Sequence, residues 1–74
     1  MNIITISQSK SMPGQWSVVG PSGRAGRPQG VDAYNAGDAA AKALVWAQRV
    51  GAPYCILGHD DALKLIPVEV RSKT

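Results

Sequence analysis

Residues 35–51 read NAGDAAAKALVWAQRVG, and this stretch decides the fold. Asn35 is a residue type that caps helices, Asp38 stands three positions later as in a capping box, and Gly51 supplies a glycine at which helices commonly end. The spacing therefore predicts a helix from Asn35 to Val50. At 100° per residue, one side of this helix is apolar. That side carries the following residues: Ala36, Ala39, Ala40, Ala43, Leu44, Trp46, Ala47 and Val50.

The apolar side of the predicted helix is mostly alanine, and small side chains let a helix axis lie close to a sheet. Leu44 and Trp46 add bulk at its margins, while Lys42 and Arg49 lie on the solvent side. We therefore expect the helix to pack closely on a single β-sheet.

Two runs typical of β-strands precede the helix, at residues 3–7 (IITIS) and 16–19 (WSVV). Their β-branched and aromatic residues predict a hairpin. Residues 20–30 then read GPSGRAGRPQG, with four of the chain's eight glycines and two arginines. This composition predicts a flexible loop without any regular element.

Two further strands are predicted after the helix. Residues 54–57 (YCIL) form an apolar run that ends at Gly58, and residues 58–61 form a polar tip. Residues 63–70 are predicted as the last strand, paired in a second hairpin. Pro67 has no N–H to give to a ladder, so this strand is expected at an edge. Residues 71–74 are expected to be a frayed tail.

The predicted fold class is α+β, with the order β-β-α-β-β over a single small domain, residues 1–74. A four-stranded, mainly antiparallel sheet is covered on one face by the single helix. Its other face is left uncovered, and exposed apolar area tends to mark interaction sites. We therefore expect a protein partner or a homodimer there. Apolar residues are expected on the uncovered face at these positions: Ile3, Val19, Cys55 or Tyr54, and Ile66.

Several segments resemble a small bacterial β-β-α-β-β family. They are the strand Trp16-Ser17-Val18, the alanine-spaced helix, its stop at Gly51, and the turn Ile56-Leu57-Gly58-His59-Asp60. That family combines a W-x-V strand, a helix with alanines four apart, and a strand running into a Gly-x-Asp tip. The resemblance spans residues 16–66 and implies the same fold but no established activity. The family usually lacks a segment like residues 20–30 of this chain.

Composition bounds the function classes. With 74 residues, 45% hydrophobic and 18% charged, the chain is an ordinary globular domain and too short for a two-domain enzyme. The single Cys55 cannot form an intrachain disulfide, and there is neither a signal-peptide pattern nor a run of the ~18 apolar residues that a membrane span needs. We therefore expect a cytoplasmic protein that does not enter a membrane.

Candidate chemistry is sparse. No G-x-x-x-x-G-K-[ST] phosphate loop occurs, and His59, Asp60 and Asp61 are the one cluster of metal-capable side chains. Three adjacent residues rarely converge on one ion, and turns favour such residues anyway. Cys55 lies within an apolar run, where a thiol behaves as a small hydrophobe. We therefore predict no enzymatic activity, no metal and no cofactor.

The predicted function is that of a non-catalytic protein-binding module, an adaptor or inhibitor with the compactness of phage- or mobile-element-encoded proteins. It is expected to act through the uncovered sheet face and the basic 20–30 loop. The alternative is a nucleic-acid-binding protein, because a net charge of +3 permits Lys10, Arg24 and Arg27 to contact phosphates. The predicted partner-binding residues are Lys10, Trp16, Arg24, Arg27 and Tyr54.

Overall fold

The computed structural model of the protein describes residues 2–12, 14–21 and 28–74. These residues form an α+β fold. In chain order its elements are β1 (Asn2–Gln8), β2 (Trp16–Pro21), β3 (Pro28–Ala33), α1 (Ala36–Val50), β4 (Tyr54–Gly58), α2 (Asp60–Leu63), α3 (Val68–Arg71) and β5 (Ser72–Lys73).

Helix α1 confirms the predicted helix and both of its ends. The Asn35 side chain accepts a hydrogen bond from the Asp38 backbone N–H at 2.8 Å, which satisfies one of the free donors of the first turn. The Asp38 carboxylate accepts in return from the N–H of Tyr34, one residue before the cap, at 3.0 Å. Gly51 ends the helix with φ 80°, and its N–H donates to the Ala47 carbonyl.

The sheet has five described strands in the order β3-β2-β1-β4-β5, so the predicted four-stranded sheet is wrong in strand number. The neighbouring pairs β1/β2, β2/β3 and β4/β5 are antiparallel, whereas β1 and β4 are parallel. The parallel pair arises because α1 leaves the edge strand β3, crosses one face of the sheet, and returns the chain beside β1. The sheet is therefore mixed.

The prediction that residues 20–30 contain no regular element is also wrong. Gly20 and Pro21 continue β2, and β3 begins at Pro28; residues 22–27 lie outside the described residues. Pro21 and Pro28 are partners in the register. Antiparallel ladders contain pairs that exchange no hydrogen bonds, so two residues without an N–H can face each other there.

The predicted last strand, residues 63–70, is wrong: α2 ends at Leu63, residues 64–67 form a turn, and α3 begins at Val68. His59 caps α2 by accepting the Asp61 N–H on its Nδ1 at 3.2 Å, and two aspartates occupy the first turn. Pro67, predicted in an edge strand, instead precedes α3 with φ −54°, a value suited to starting a helix. Residues 72 and 73, predicted as part of a frayed tail, pair with Cys55 and Tyr54 as β5.

The core lies between the sheet and α1. Its largest fully buried side chains are Ile4, Ile6 and Val18. The buried residues of α1 are all alanines. Trp46 closes one margin of this core by donating from its indole Nε1 to the Pro21 carbonyl at 3.0 Å. Its ring lies over Gly20, where a β-carbon would be only 2.9 Å from the indole. A larger residue at position 20 would displace the tryptophan.

Candidate protein-binding surface

No described residue outside the sheet packs on the side that faces away from α1, and we call this side the open face. The register fixes which residues share it, because Ile4 and Ile56 pair on the buried side and their strand neighbours must point the opposite way. On the open face, Ile3 lies beside Cys55, and Thr5 lies between Leu57 and Val19. The open face is therefore defined by Ile3, Thr5, Val19, Cys55 and Leu57.

The open face is apolar and strongly accessible. Ile3 is 50% exposed, Leu57 47% and Val19 38%, and the Cys55 thiol beside them is partly exposed. These side chains lie on neighbouring strands, so they form one continuous patch rather than scattered apolar residues. Continuous exposed patches of this kind mark contact sites for proteins.

The border of the open face is polar at one end. The hydroxyls of Ser7 and Ser17 are hydrogen-bonded to each other at 2.9 Å, and Asp32 follows on the edge strand as the register partner of Ser17. Within the described parts of β1, β2 and β4, the residues that point to this side include no charged side chain. An apolar centre with a polar end is the usual layout of a protein interface.

The molecule is a thin slab, 32 × 28 × 14 Å across its Cα atoms. Helix α1 covers one broad side and the open face occupies the other. A side of these dimensions can supply the ~800 Å² that each partner gives to an interface of standard size. The side opposite α1 is thus large enough for an interface of standard size.

The expectation for the apolar positions is confirmed at Ile3, Val19 and Cys55, which lie on the open face. Tyr54 and Ile66 do not, since both are buried on the α1 side at 4% and 2% exposure. The Tyr54 hydroxyl donates to the Val70 carbonyl at 2.8 Å and so ties α3 to β4. Leu57 was not predicted, because four apolar residues in a row give no sign of which ones point inward.

Two of the predicted partner-binding residues belong to the core. Trp16 is 5% exposed, and its ring meets the His59 ring edge-on with centroids 5.0 Å apart. Tyr54 is buried as described above. Neither ring is accessible to a partner on the open face. Both rings instead supply large apolar area to a small core.

The three predicted cations are not brought together by the described residues. Lys10 is exposed in the connection between β1 and β2, near the Trp16 end of β2. Arg24 and Arg27 lie outside the described residues, and the segment that holds them joins Pro21 to Pro28. Those two prolines mark the opposite end of β2, about 17 Å from Trp16 at strand spacing.

The cluster at residues 59–61 acts as a helix start. His59 Nδ1 accepts the Asp61 N–H, the Asp61 carboxylate lies 3.8 Å from that nitrogen, and Lys64 Nζ is 3.8 Å from the other carboxylate oxygen. No set of three or more metal-capable side chains converges anywhere in the part of the chain that the structure describes. The arrangement accounts for these residues without a ligand.

A second polar cluster surrounds the start of α1. Lys42 Nζ lies 3.1 Å from the Asp38 carboxylate and 5.6 Å from the centroid of the Tyr34 ring. The backbone N–H of Tyr34, and then the Lys42 ammonium, hold the pKa of Asp38 below its ordinary value. Tyr34 itself is 84% exposed. Because each charge has its partner, this cluster stabilises the helix start.

Even α1, the longest described helix at 15 residues, is neither long nor apolar enough to cross a bilayer. No protein-family model matches the chain, and no curated protein shows a significant match to it. The resemblance to the bacterial β-β-α-β-β family therefore stays a prediction.

Proposed function

We propose that this protein is a non-catalytic protein-binding module, of the adaptor or inhibitor class, that binds its partner through the open face. The observation that carries the proposal is an exposed apolar patch of uncharged side chains at the centre of the sheet side opposite α1, bordered by the polar residues Ser7, Ser17 and Asp32. Among the described residues, no helix or second sheet packs on that surface.

The energetics favour docking at this surface. Burial of apolar area contributes about 25 cal/mol per Å², and Ile3, Val19 and Leu57 together supply much of the accessible apolar area on the open face. Because the residues of the open face carry no charge, docking there incurs none of the desolvation penalty that buried charges impose. The partner surface we expect is likewise apolar at its centre.

The basic residues Arg24 and Arg27, which lie outside the described residues, are proposed to add recognition of acidic groups on the partner. Arg24 and Arg27 follow Pro21, the residue that ends β2, and arginine forks bind carboxylates in a directed, bidentate way. We therefore expect the partner surface to combine an apolar centre with acidic groups. It also places the protein in the cytoplasm, because the partly exposed free thiol of Cys55 suits a reducing compartment.

The test uses Cys55, the one cysteine of the chain, as a handle on the open face. A thiol-linked benzophenone placed there and irradiated in an extract of the source cells should crosslink one discrete partner. The matched control replaces Cys55 with serine and carries Gln48→Cys on the exposed side of α1. That handle should yield no comparable product.

Three results would contradict the proposal. The first is no product from Cys55, and the second is equal products from both handles. The third is a product that nuclease removes, which would support the alternative of nucleic-acid binding through Lys10, Arg24 and Arg27. A product of twice the chain mass identifies the partner as a second copy. Ile3→Lys should abolish capture while leaving the far-UV circular dichroism unchanged.

A further inference from the structure

A groove runs between helix α1 and the edge strand β3, away from the open face. Its volume is about 400 Å³. The residues that line it are Val31, Ala41, Lys42, Val45, Trp46 and Arg49.

The floor of this groove is apolar and already formed. Val31 pairs with the buried Val18 and so points to the α1 side of the sheet, yet it remains 39% exposed because α1 does not extend over it. Val45 faces the groove from the helix and is 53% exposed. Trp46 forms the wall between them, held by its hydrogen bond to the Pro21 carbonyl.

The outer edge of β3 beside the groove carries backbone groups that have no hydrogen-bond partner among the described residues. Pro21 and Pro28 are register partners. Because neither has an N–H, they form a non-hydrogen-bonded pair of the ladder. Hydrogen-bonded and non-bonded pairs alternate along an antiparallel ladder, so Gly30 and Asp32 also direct their N–H and C=O away from β2. Lys42 Nζ donates to the Asp32 carbonyl at 2.6 Å, which agrees with a carbonyl that points away from β2. Both groups of Gly30 lie on the free edge.

The charge at the rim of the groove is positive. Lys42 lies at one end, engaged with Asp38, and Arg49 lies two helical turns further on, about 10 Å away along the axis. Arg49 forms no ion pair with any carboxylate among the described residues, and it is exposed. An unpaired cation at one end of an apolar groove complements a ligand with an acidic end.

We propose that this groove binds an extended acidic segment of a partner protein. The segment adds to the free edge of β3, where Gly30 exchanges backbone hydrogen bonds with it. It places one branched apolar side chain between Val31, Val45 and Trp46, and its carboxylate pairs with Arg49. Strand addition of this kind takes affinity from the backbone and specificity from the pocket. The site is separate from the open face, so either can fail without the other.

The probe is a set of nine-residue peptides, acetylated and amidated, in which threonine alternates with one apolar residue type and a glutamate occupies one end. The apolar residue is valine, isoleucine, leucine, methionine or phenylalanine. Titration into ¹⁵N-labelled protein should shift the amides of Gly30 and Asp32 and the indole N–H of Trp46. Amides of Ile3, Thr5 and Leu57 on the open face should stay in place.

A charge swap tests the role of Arg49. Arg49→Glu should lower the affinity for the glutamate peptide that binds best by at least tenfold. The same peptide with lysine in place of glutamate should bind the variant with most of the lost affinity restored. Lys64→Glu is the matched control, because Lys64 is also cationic and exposed but is not among the residues that line the groove. It should leave binding unchanged.

The proposal is overturned if none of the peptides shifts Gly30 and Trp46 at millimolar concentration. It is also overturned if the shifts map to the open face, or if both charge reversals weaken binding equally. Val45→Glu, which leaves the buried side of α1 intact, should abolish binding without changing the circular dichroism. Retained affinity in that variant would likewise contradict the assignment.

Discussion

At the scale of the residue, Gly58 determines how β4 ends. Its φ is 131°, and a β-carbon there would run into the backbone of Ile6 on the neighbouring strand. His59 N–H then donates to the Ile6 carbonyl at 3.1 Å, so the close approach of the two backbones extends the parallel pairing into the start of α2. Only glycine combines this φ with this contact.

We predict that Gly58→Ala destabilises the fold by about 3 kcal/mol or more, because backbone strain and a backbone clash add together. Gly51→Ala is the matched control, since Gly51 also has a positive φ, 80°, but nothing lies within 4 Å of its would-be β-carbon. With ψ 168° it should cost backbone strain alone, about 1–3 kcal/mol, and less than Gly58→Ala. Urea unfolding gives the free energy of unfolding of both variants. An equal decrease in the two variants would show that the contact with Ile6 is unimportant.

Asp38 links stability to pH at the same scale. Its pKa in the folded state is lowered by the Tyr34 N–H and by Lys42, so it favours folding at pH values above the ordinary unfolded pKa of ~3.9. This contribution is lost as pH falls through the lower, folded pKa. We expect Asp38→Asn to have a lower Tm than the parent at pH 6, and the gap to close as pH falls through the lowered folded pKa of Asp38. Thermal melts at several pH values check this, and a gap independent of pH would contradict it.

At the scale of the element, the ends of α1 could be predicted from the sequence, whereas the side of the sheet that each β4 residue faces could not. Helix α1 was predictable because its signals are local: a capping Asn35, the alanine period and Gly51 lie within seventeen consecutive residues. The β4 run is apolar throughout, so only its pairing with β1 reveals that Ile56 points inward and Leu57 outward. The side of the sheet that each residue faces was set by tertiary pairing.

Helices α2 and α3 were missed because each is a single turn of four residues, too short to show a helical period. Leu63 and Leu65, then Val68 and Val70, alternate like a strand, whereas the residues that pack on the core, Leu63, Ile66 and Val70, come from the end of α2, the turn after it, and α3. The local signals were the capping ability of His59 and the position of Pro67 before a helix. Strand β3 was missed because glycine and proline normally argue against a strand.

The neighbouring residues Ile56 and Leu57 give a direct test of the assigned faces of β4. Ile56 is 2% exposed, so Ile56→Ala should cost about 2–5 kcal/mol through lost burial and a cavity. Leu57 is 47% exposed, so Leu57→Ala should cost less than about 1 kcal/mol in the isolated protein. Denaturant midpoints at low protein concentration measure the loss of stability in each variant. A larger loss for Leu57→Ala than for Ile56→Ala would contradict the assigned faces of β4.

At the scale of the whole molecule, the fold is one sheet with one long helix on one side, only 14 Å thick. The small alanine face of α1 lets helix and sheet lie close together, which leaves the core thin and the opposite side of the sheet uncovered. The sequence predicted that an uncovered face exists and named three of its residues. It did not predict that Trp16 and Tyr54 would be needed in the core, because only the register of β2 and β4 directs them inward.

The most direct test of the open face as a docking surface is the reactivity of the Cys55 thiol in the source cells. We expect N-ethylmaleimide to alkylate Cys55 readily in the dilute purified protein, where the thiol is partly exposed. In intact cells the same residue, quantified by mass spectrometry, should be protected at least tenfold, and Leu57→Lys should remove that protection. Equal alkylation of Cys55 in cells and in dilute solution would contradict the proposed role of the open face.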